Sequence, residues 1–258
     1  MKLSSKELKN FVDVCNVIET VSNDIHIHNG QIKQFARRRS FIVDVDMSSI
    51  FSNVPENEMI VDIKLSSAKE RLKVFNAFLA NDTSTDYYFD YDGRYYILRD
   101  NISSFFIREP DVDALECKYD EEANPGGLSE TRVLFECDLD SVVLKRLKAI
   151  SEVCNSNTLD IKLLHRTGKA EFTLTGTSKI MASTLVKFNY NKDLIGDVDV
   201  VGRVSFDCML FADNVSTKMY MIDENFVAFE TKMEIGGCPV NFFQRIRYGE
   251  IVEDETES

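Results

Sequence analysis

The stretch from Lys6 to Asn16, KELKNFVDVCN, returns as KRLKAISEVCN from Lys145 to Asn155, with Lys, Leu, Lys, Val, Cys and Asn in matching slots. The offset of 139 residues exceeds half of the 258-residue chain. The repeated unit is therefore a whole domain copied once, not a short solenoid module.

Working outward from the first copy, Leu8, Phe11, Val12, Cys15 and Ile18 recur at spacings of three and four, which predicts a helix from Ser4 to Val21. DIHIH and QIKQF follow, joined by Asn29-Gly30, a strong two-residue hairpin signal because both positions tolerate positive φ. FIVDV is a third strand. MIVDIKL, from Met59 to Leu65, then reads as a strand, and Ser66 to Leu79 as a helix burying Ala68, Leu72, Phe75 and Leu79. DYYFDY and RYYIL flank Asp92-Gly93, and ISSFFIR closes the set. Strand, helix and three strands thus occur twice. Beyond Pro125-Gly126-Gly127 the order restarts with RVLFECDL, a helix from Asp140 to Cys154, and strands LDIKLL, KAEFTLT and IMASTLVKF. A last unit reads as RVSFD, a short helical stretch near Cys208 to Asn214, then KMYMI, FVAFETKM and VNFFQRI. The fold class is α+β, with two similar domains each made of two strand-helix-three-strand units. The expected boundaries are 1–110 for the first domain, 111–130 for an acidic linker, 131–250 for the second domain and 251–258 for an acidic tail.

Composition limits the function. Thirty basic against 43 acidic residues give a net charge of −13, which argues against a simple adhesive binder of nucleic acid. Much of the acidity is confined to Glu109 to Glu130, where Lys118 is the single base, and to the tail, so individual helices are left locally basic. Six cysteines without a C-x-x-C pair fit a reducing compartment better than a disulfide framework or a zinc site. The opening has no apolar run of signal-peptide length and no segment approaches the roughly 20 apolar residues of a membrane span, so a soluble, cytoplasmic protein without membrane partners is expected.

Catalytic motifs do not emerge. There is no Walker-type loop, G-x-G-x-x-G, G-x-S-x-G or H-E-x-x-H, and His26, His28 and His165 are the available imidazoles. His26 and His28 share one strand face as two metal ligands might, but no third ligand is signalled, so no metal is expected. Asp44 and Asp46 also share a face; in a chain with 43 acids such pairs arise by chance. No enzyme activity and no cofactor are expected.

An acidic chain of this length, duplicated, with two such units per domain and an acidic linker between them, resembles a DNA sliding clamp. Pro239 to Ile246 (PVNFFQRI) and Val252 to Glu255 (VEDE) stand where the proliferating cell nuclear antigen family has its last strand and acidic terminus. MKLS followed by a helix and then NGQIKQF is similar to the processivity clamp of T-even-type bacteriophages, and a phage origin would place the protein in the host cytoplasm. The resemblance extends over nearly the whole chain. Two departures stand out: the segment after Ile246 is shorter than in the eukaryotic clamp, and VSFDCMLFADN, in the place of the fourth helix, carries no Lys or Arg.

The resemblance implies a ring-shaped, non-enzymatic processivity factor whose helices line a hole around duplex DNA. Its partners would be a DNA polymerase, an ATP-dependent clamp loader and two further copies in a homotrimer. Lys6, Lys9, Lys69, Lys73, Lys145 and Lys148 would then meet phosphates without reading bases. On pattern alone such lysines are simply the solvated face of a surface helix. Arg37, Arg38 and Arg39 are either an exposed hairpin end or an auxiliary contact. Ile102, Phe105, Phe106, Ile180 and Leu185 would sit at the subunit interface. Val112, Leu115, Tyr119, Pro239, Ile251 and Val252 would border a peptide-docking pocket, with Phe41 and Val43 as weaker lining residues; otherwise Val112, Leu115 and Tyr119 merely pin the linker. The competing reading is a structural β-rich virion or assembly protein, and a hydrolase with an unrecognised carboxylate site ranks last.

Overall fold

Strand, helix and three strands follow one another twice in the first half of the chain. The computed structural model describes residues 1–36, 41–80, 86–123, 133–155, 158–164, 169–175, 181–187, 189–190, 200–205, 216–222 and 226–247. Ser4 ends β1 (Lys2–Ser4) and opens α1 (Ser5–Glu19). Its hydroxyl accepts the Glu7 amide at 3.3 Å while a Glu7 carboxylate oxygen accepts the Ser4 amide at 2.7 Å, closing a capping box. β2 (Ile25–His28) and β3 (Gln31–Ala36) meet at Asn29-Gly30, whose φ angles of 49° and 74° are those the two-residue turn demands. β4 (Phe41–Asp46) pairs with β3, burying every second side chain. The second unit runs β5 (Asp62–Leu65), α2 (Ala68–Ala80), β6 (Asp86–Tyr91), β7 (Tyr95–Arg99) and β8 (Ser104–Arg108).

Two sequence expectations are corrected here. The strand predicted from Met59 starts only at Asp62, because its partner β2 runs from Ile25, opposite Leu65, to His28, opposite Asp62, and then turns. Past that point one bond remains, from the Asn29 amide to the Val61 carbonyl at 2.8 Å. In α2 the buried stripe ends on Phe78 rather than Leu79, since the Phe78 ring packs against Tyr87 at 6.2 Å and Phe105 at 5.0 Å.

The chain divides into two compact units, Met1–Pro125 with Met233–Phe242, and Gly126–Lys232 with Phe243–Ser258. In the first, β1-β6-β7-β8 form one sheet and β5-β2-β3-β4 lie side by side in another. Phe11 of α1, Phe75 of α2 and Phe89 of β6 meet at 5.5, 6.4 and 5.7 Å between ring centroids, locking both helices onto the first sheet. The second unit begins with β9 (Val133–Leu139), α3 (Ser141–Cys154), β10 (Thr158–Leu164), β11 (Lys169–Thr175) and β12 (Met181–Lys187), the same unit again. A two-residue β13 (Asn189–Tyr190) pairs with β9, and β14 (Val200–Ser205) completes the sheet β12-β11-β10-β14. β15 (Ser216–Ile222), between β9 and β16 (Phe226–Ile235), and β17 (Cys238–Arg247) finish the chain's strands. The predicted helical stretch near Cys208 to Asn214 lies outside the described residues, as do Arg37 to Arg39, His165 and the Pro-Gly-Gly stretch. Cys15, Cys117, Cys137, Cys154 and Cys238 are all buried, and none of them is in a disulfide.

The repeated helices keep their burial slots in part. Leu8 and Leu147, Val12 and Ser151, and Cys15 and Cys154 are buried in corresponding positions. Val14 is fully buried while its counterpart Val153 is 68% exposed. α3 also starts a turn earlier in the repeat register, because Asp140 caps it by accepting the Val143 amide at 2.8 Å.

Candidate functional site

The three described helices share a charge pattern that helix stability does not explain. Their cations fall in the N-terminal part or the middle: Lys6 and Lys9 in α1, Lys69, Arg71 and Lys73 in α2, and Lys145, Arg146 and Lys148 in α3; none has a base in its last turn. The helix dipole favours bases at the other end, by about 0.3–1 kcal/mol each. Here Lys6 in α1 and Lys69 and Arg71 in α2 stand in the first turn, beside the acids Glu7 and Glu70, while the first turn of α3 carries no charge and its cations begin at Lys145. Lys6, Lys9, Lys69, Lys73 and Lys145 are exposed and Lys148 is half-exposed, so each side chain can reach solvent-side phosphate. The acid between the first two lysines is occupied: Glu7 Oε2 accepts from Ser4, and Oε1 accepts from the Asn53 amide at 2.8 Å. Burial pushes the Glu7 carboxyl up, but these hydrogen bonds outweigh it and hold it below the usual carboxylate range.

Arg146 is an exposed cation that the sequence reading passed over. It occupies the repeat slot of Glu7, and with capping duty transferred to Asp140 that slot is released for a base. The same surface of α3 carries exposed Val142, so it is not uniformly basic.

Edge strands mark a second surface. β8 pairs only with β7, and β12 only with β11, so among the described residues each forms the rim of its sheet. On or beside β8, Ile102 is 79%, Phe106 63% and Phe105 43% exposed, an apolar set on an open strand edge. Leu185 lies within β12, and Ile180 lies outside the described residues.

The acidic segment after β8 is a fastened strap. Asp111 caps a 3-10 turn at Val112–Ala114 by accepting the Asp113 amide at 3.0 Å. Leu115 is 4% exposed, and Cys117 and Ala123 are also buried. The Glu116 amide donates to Asp24 Oδ2 at 2.7 Å, the Tyr119 amide to His26 Nδ1 at 3.0 Å, and the Asp120 amide to the Lys33 carbonyl at 2.7 Å. The Tyr119 ring packs on His28 at 4.9 Å between centroids. Leu115 and Tyr119 therefore do pin the strap, while Val112 is half-exposed and Pro239 exposed. Phe41 and Val43 cannot line a surface pocket: both are buried, on the core face that the alternation of β4 assigns them. Ile251 and Val252 lie outside the described residues. A cavity of about 630 Å³ in the first unit is lined elsewhere, by Val61, Asp62, Lys64, Tyr91 and Glu109 among others, and by none of the expected docking residues.

His26 and His28 converge on one carboxylate oxygen, Asp62 Oδ1, at 3.1 and 2.8 Å. Among the described residues no group of three or more potential ligands is arranged to hold a metal ion. No described helix is long and apolar enough to cross a membrane.

No protein-family model matches the chain, and no curated protein sequence is significantly similar to it. Solved structures do match. The proliferating cellular nuclear antigen (PCNA) from Entamoeba histolytica superposes with a TM-score of 0.61 at 13% identity, over 95% of this chain and 97% of that one. PCNA from Thermococcus kodakaraensis gives 0.61 at 12% identity, over 96% and 99%. A. fulgidus PCNA bound to the C-terminal region of FEN-1 gives 0.60 at 12%, over 97% and 98%. A PCNA2-PCNA3 complex from Sulfolobus tokodaii gives 0.56 at 10%, over 96% and 98%. From its first strand to its last, this chain has the fold of the PCNA sliding clamps.

Proposed function

We propose that this chain is a sliding clamp that encircles duplex DNA and acts as a polymerase processivity factor. The observation that carries the reading is that the cations of the three described α-helices lie in the first turn or towards the middle and none lies in a last turn, where the dipole would favour it, an arrangement that suits a polyanion rather than the helix. Lys6, Lys9, Lys69, Lys73, Lys145 and Lys148, joined by Arg146, would make loose phosphate contacts around the hole. The clamp is not an enzyme in this reading. Retention is topological, and the net charge of −13 suppresses adhesion elsewhere. A closed ring needs an ATP-dependent loader, since this chain carries no phosphate-binding loop.

Assembly follows from the open edges. The exposed Ile102, Phe105 and Phe106 beside β8 would pair with β12 of the next copy, through Leu185 and Ile180, in a head-to-tail homotrimer. The complex of two PCNA chains among the similar structures supports contacts of this general kind. The neighbour that holds a C-terminal region of FEN-1 supports docking of a terminal peptide. Here a polymerase's terminal peptide would bind beside the strap through Val112, Leu115, Tyr119 and Pro239, with Ile251 and Val252 of the tail.

The deciding experiment is electron microscopy of the purified chain together with retention on primed circular DNA in the presence of a loader and ATP. Rings with a central hole, and DNA retention lost when the circle is linearised, are expected. Filaments or shells without a hole would favour the structural assembly protein instead.

A further inference from the structure

The strap's attachment fixes the protonation state of a histidine. A main-chain N–H can only donate, so the Tyr119 amide, 3.0 Å from His26 Nδ1, requires a lone pair on that nitrogen. The ring's single proton is then on Nε2, where it is donated to Asp62 Oδ1 at 3.1 Å. His26 is further held from behind, because its own amide donates to Oε1 of the buried Gln34 at 3.1 Å. A second proton at Nδ1 would set two donors against each other across the strap contact.

We propose that His26 is the positioning residue of the strap 115–123: its neutral form holds the Tyr119 main chain against β2, and its protonation releases it. The groups around the ring are Asp62 and Lys64 of β5, His28 of β2 and Tyr119 of the strap, with Lys118, itself paired with Asp113, next to Tyr119 and the acids Glu116 and Asp120 on either side of that tyrosine. The amides of those two acids are tied to Asp24 and to the Lys33 carbonyl, neither of which needs His26, so release is local to Tyr119. Burial pushes His26 below the ordinary histidine range; Asp62 opposes this through its hydrogen bond and charge, and Lys64 and His28 reinforce it. A histidine that is harder to protonate when the strap is on takes up a proton when the strap comes off. Attachment is therefore complete above about pH 6.5 and weakens as pH falls below it. None of this requires that the chain encircle DNA, and the test uses the full chain alone.

Exchange of the Tyr119 amide, followed by NMR and corrected for its intrinsic pH dependence, should quicken several-fold, with a ceiling of about tenfold, between about pH 7.5 and 5.5 in the wild type, since the released imidazole titrates near pH 6.5. In His26→Asn, which keeps an acceptor near the Nδ1 position and cannot titrate, the change should stay under about twofold. A flat wild-type profile, or an equal rise in both proteins, overturns the proposal. Should His26→Asn fail to fold, the wild type still decides: the His26 ring and the Tyr119 amide must shift with one common midpoint, and two separate midpoints overturn it.

Discussion

The side-chain amide of Asn10 donates to the carbonyl of Gly236 at 3.0 Å, joining α1 to the turn between β16 and β17 across 226 positions of sequence. Gly236 has φ of 59°, and a β-carbon there would lie 2.4 Å from Asn10 Cγ. Gly236→Ala should destabilise the chain by roughly 2–3 kcal/mol, combining left-handed backbone strain with loss of the Asn10 contact. In an Asn10→Ala background the cost should fall to about 1–2 kcal/mol, the backbone part alone. Urea unfolding of the four proteins in the cycle measures this, and equal costs in both backgrounds would disprove the contact.

Ser4→Ala should cost about 1 kcal/mol at neutral pH by opening the capping box. Glu7 is held below its ordinary range when folded, so its contribution is present above the unfolded pKa and disappears as pH falls through the folded value. The gap between wild type and Ser4→Ala should therefore narrow in acid. Thermal melts from about pH 7 down to pH 3 test the sign, and a gap that widens would contradict it.

Reversing Lys6 and Lys145 to Glu separates DNA contact from folding. An acid at the second position of α1 suits the dipole, so Lys6→Glu should leave stability unchanged or raise it by up to about 1 kcal/mol. The double variant should nevertheless be loaded less efficiently and support a less processive polymerase, so that less of it is retained on circular DNA while the ring stays intact. Unchanged retention would put these lysines outside the DNA path.

Phe106→Asp places a charge on the open edge of β8 without disturbing the core, since Phe106 is 63% exposed. Self-association should weaken by about 2 kcal/mol, roughly thirtyfold, with the monomer fold intact. Sedimentation over a concentration series reads this directly. A wild type that stays monomeric throughout would discard the edge-pairing interface.

Peptide docking is best probed away from the core. Leu115→Ala empties a buried site and should cost about 2–5 kcal/mol, so lost binding there would conflate two effects. Val112→Ser and Pro239→Ala touch half-exposed and exposed positions and should change stability by no more than about 0.5 kcal/mol. Titration of the polymerase's terminal peptide should show weakened affinity in both, and in a chain truncated after Gly249. Undiminished affinity in all three would move the docking site elsewhere.

What was legible in the sequence was local or periodic. The strand-helix-three-strand order and the Asn29-Gly30 hairpin each depend on neighbours within a few positions, and both appear in the first unit. The repeat of Lys6 to Asn16 at Lys145 to Asn155 announced duplication for the same reason: identical helix slots need no knowledge of what they pack against. Tertiary structure decided the rest. Val14 and Val153 share a slot and differ in burial because their surroundings differ, and Phe78 displaced Leu79 from the α2 stripe because Tyr87 and Phe105 supply its partners. His26 and Tyr119 are 93 positions apart, and only the meeting of an obligate main-chain donor with an imidazole nitrogen assigns that histidine its neutral form. Periodicity specifies which face of an element is buried; what that face meets, and with which proton, is settled when distant segments pack.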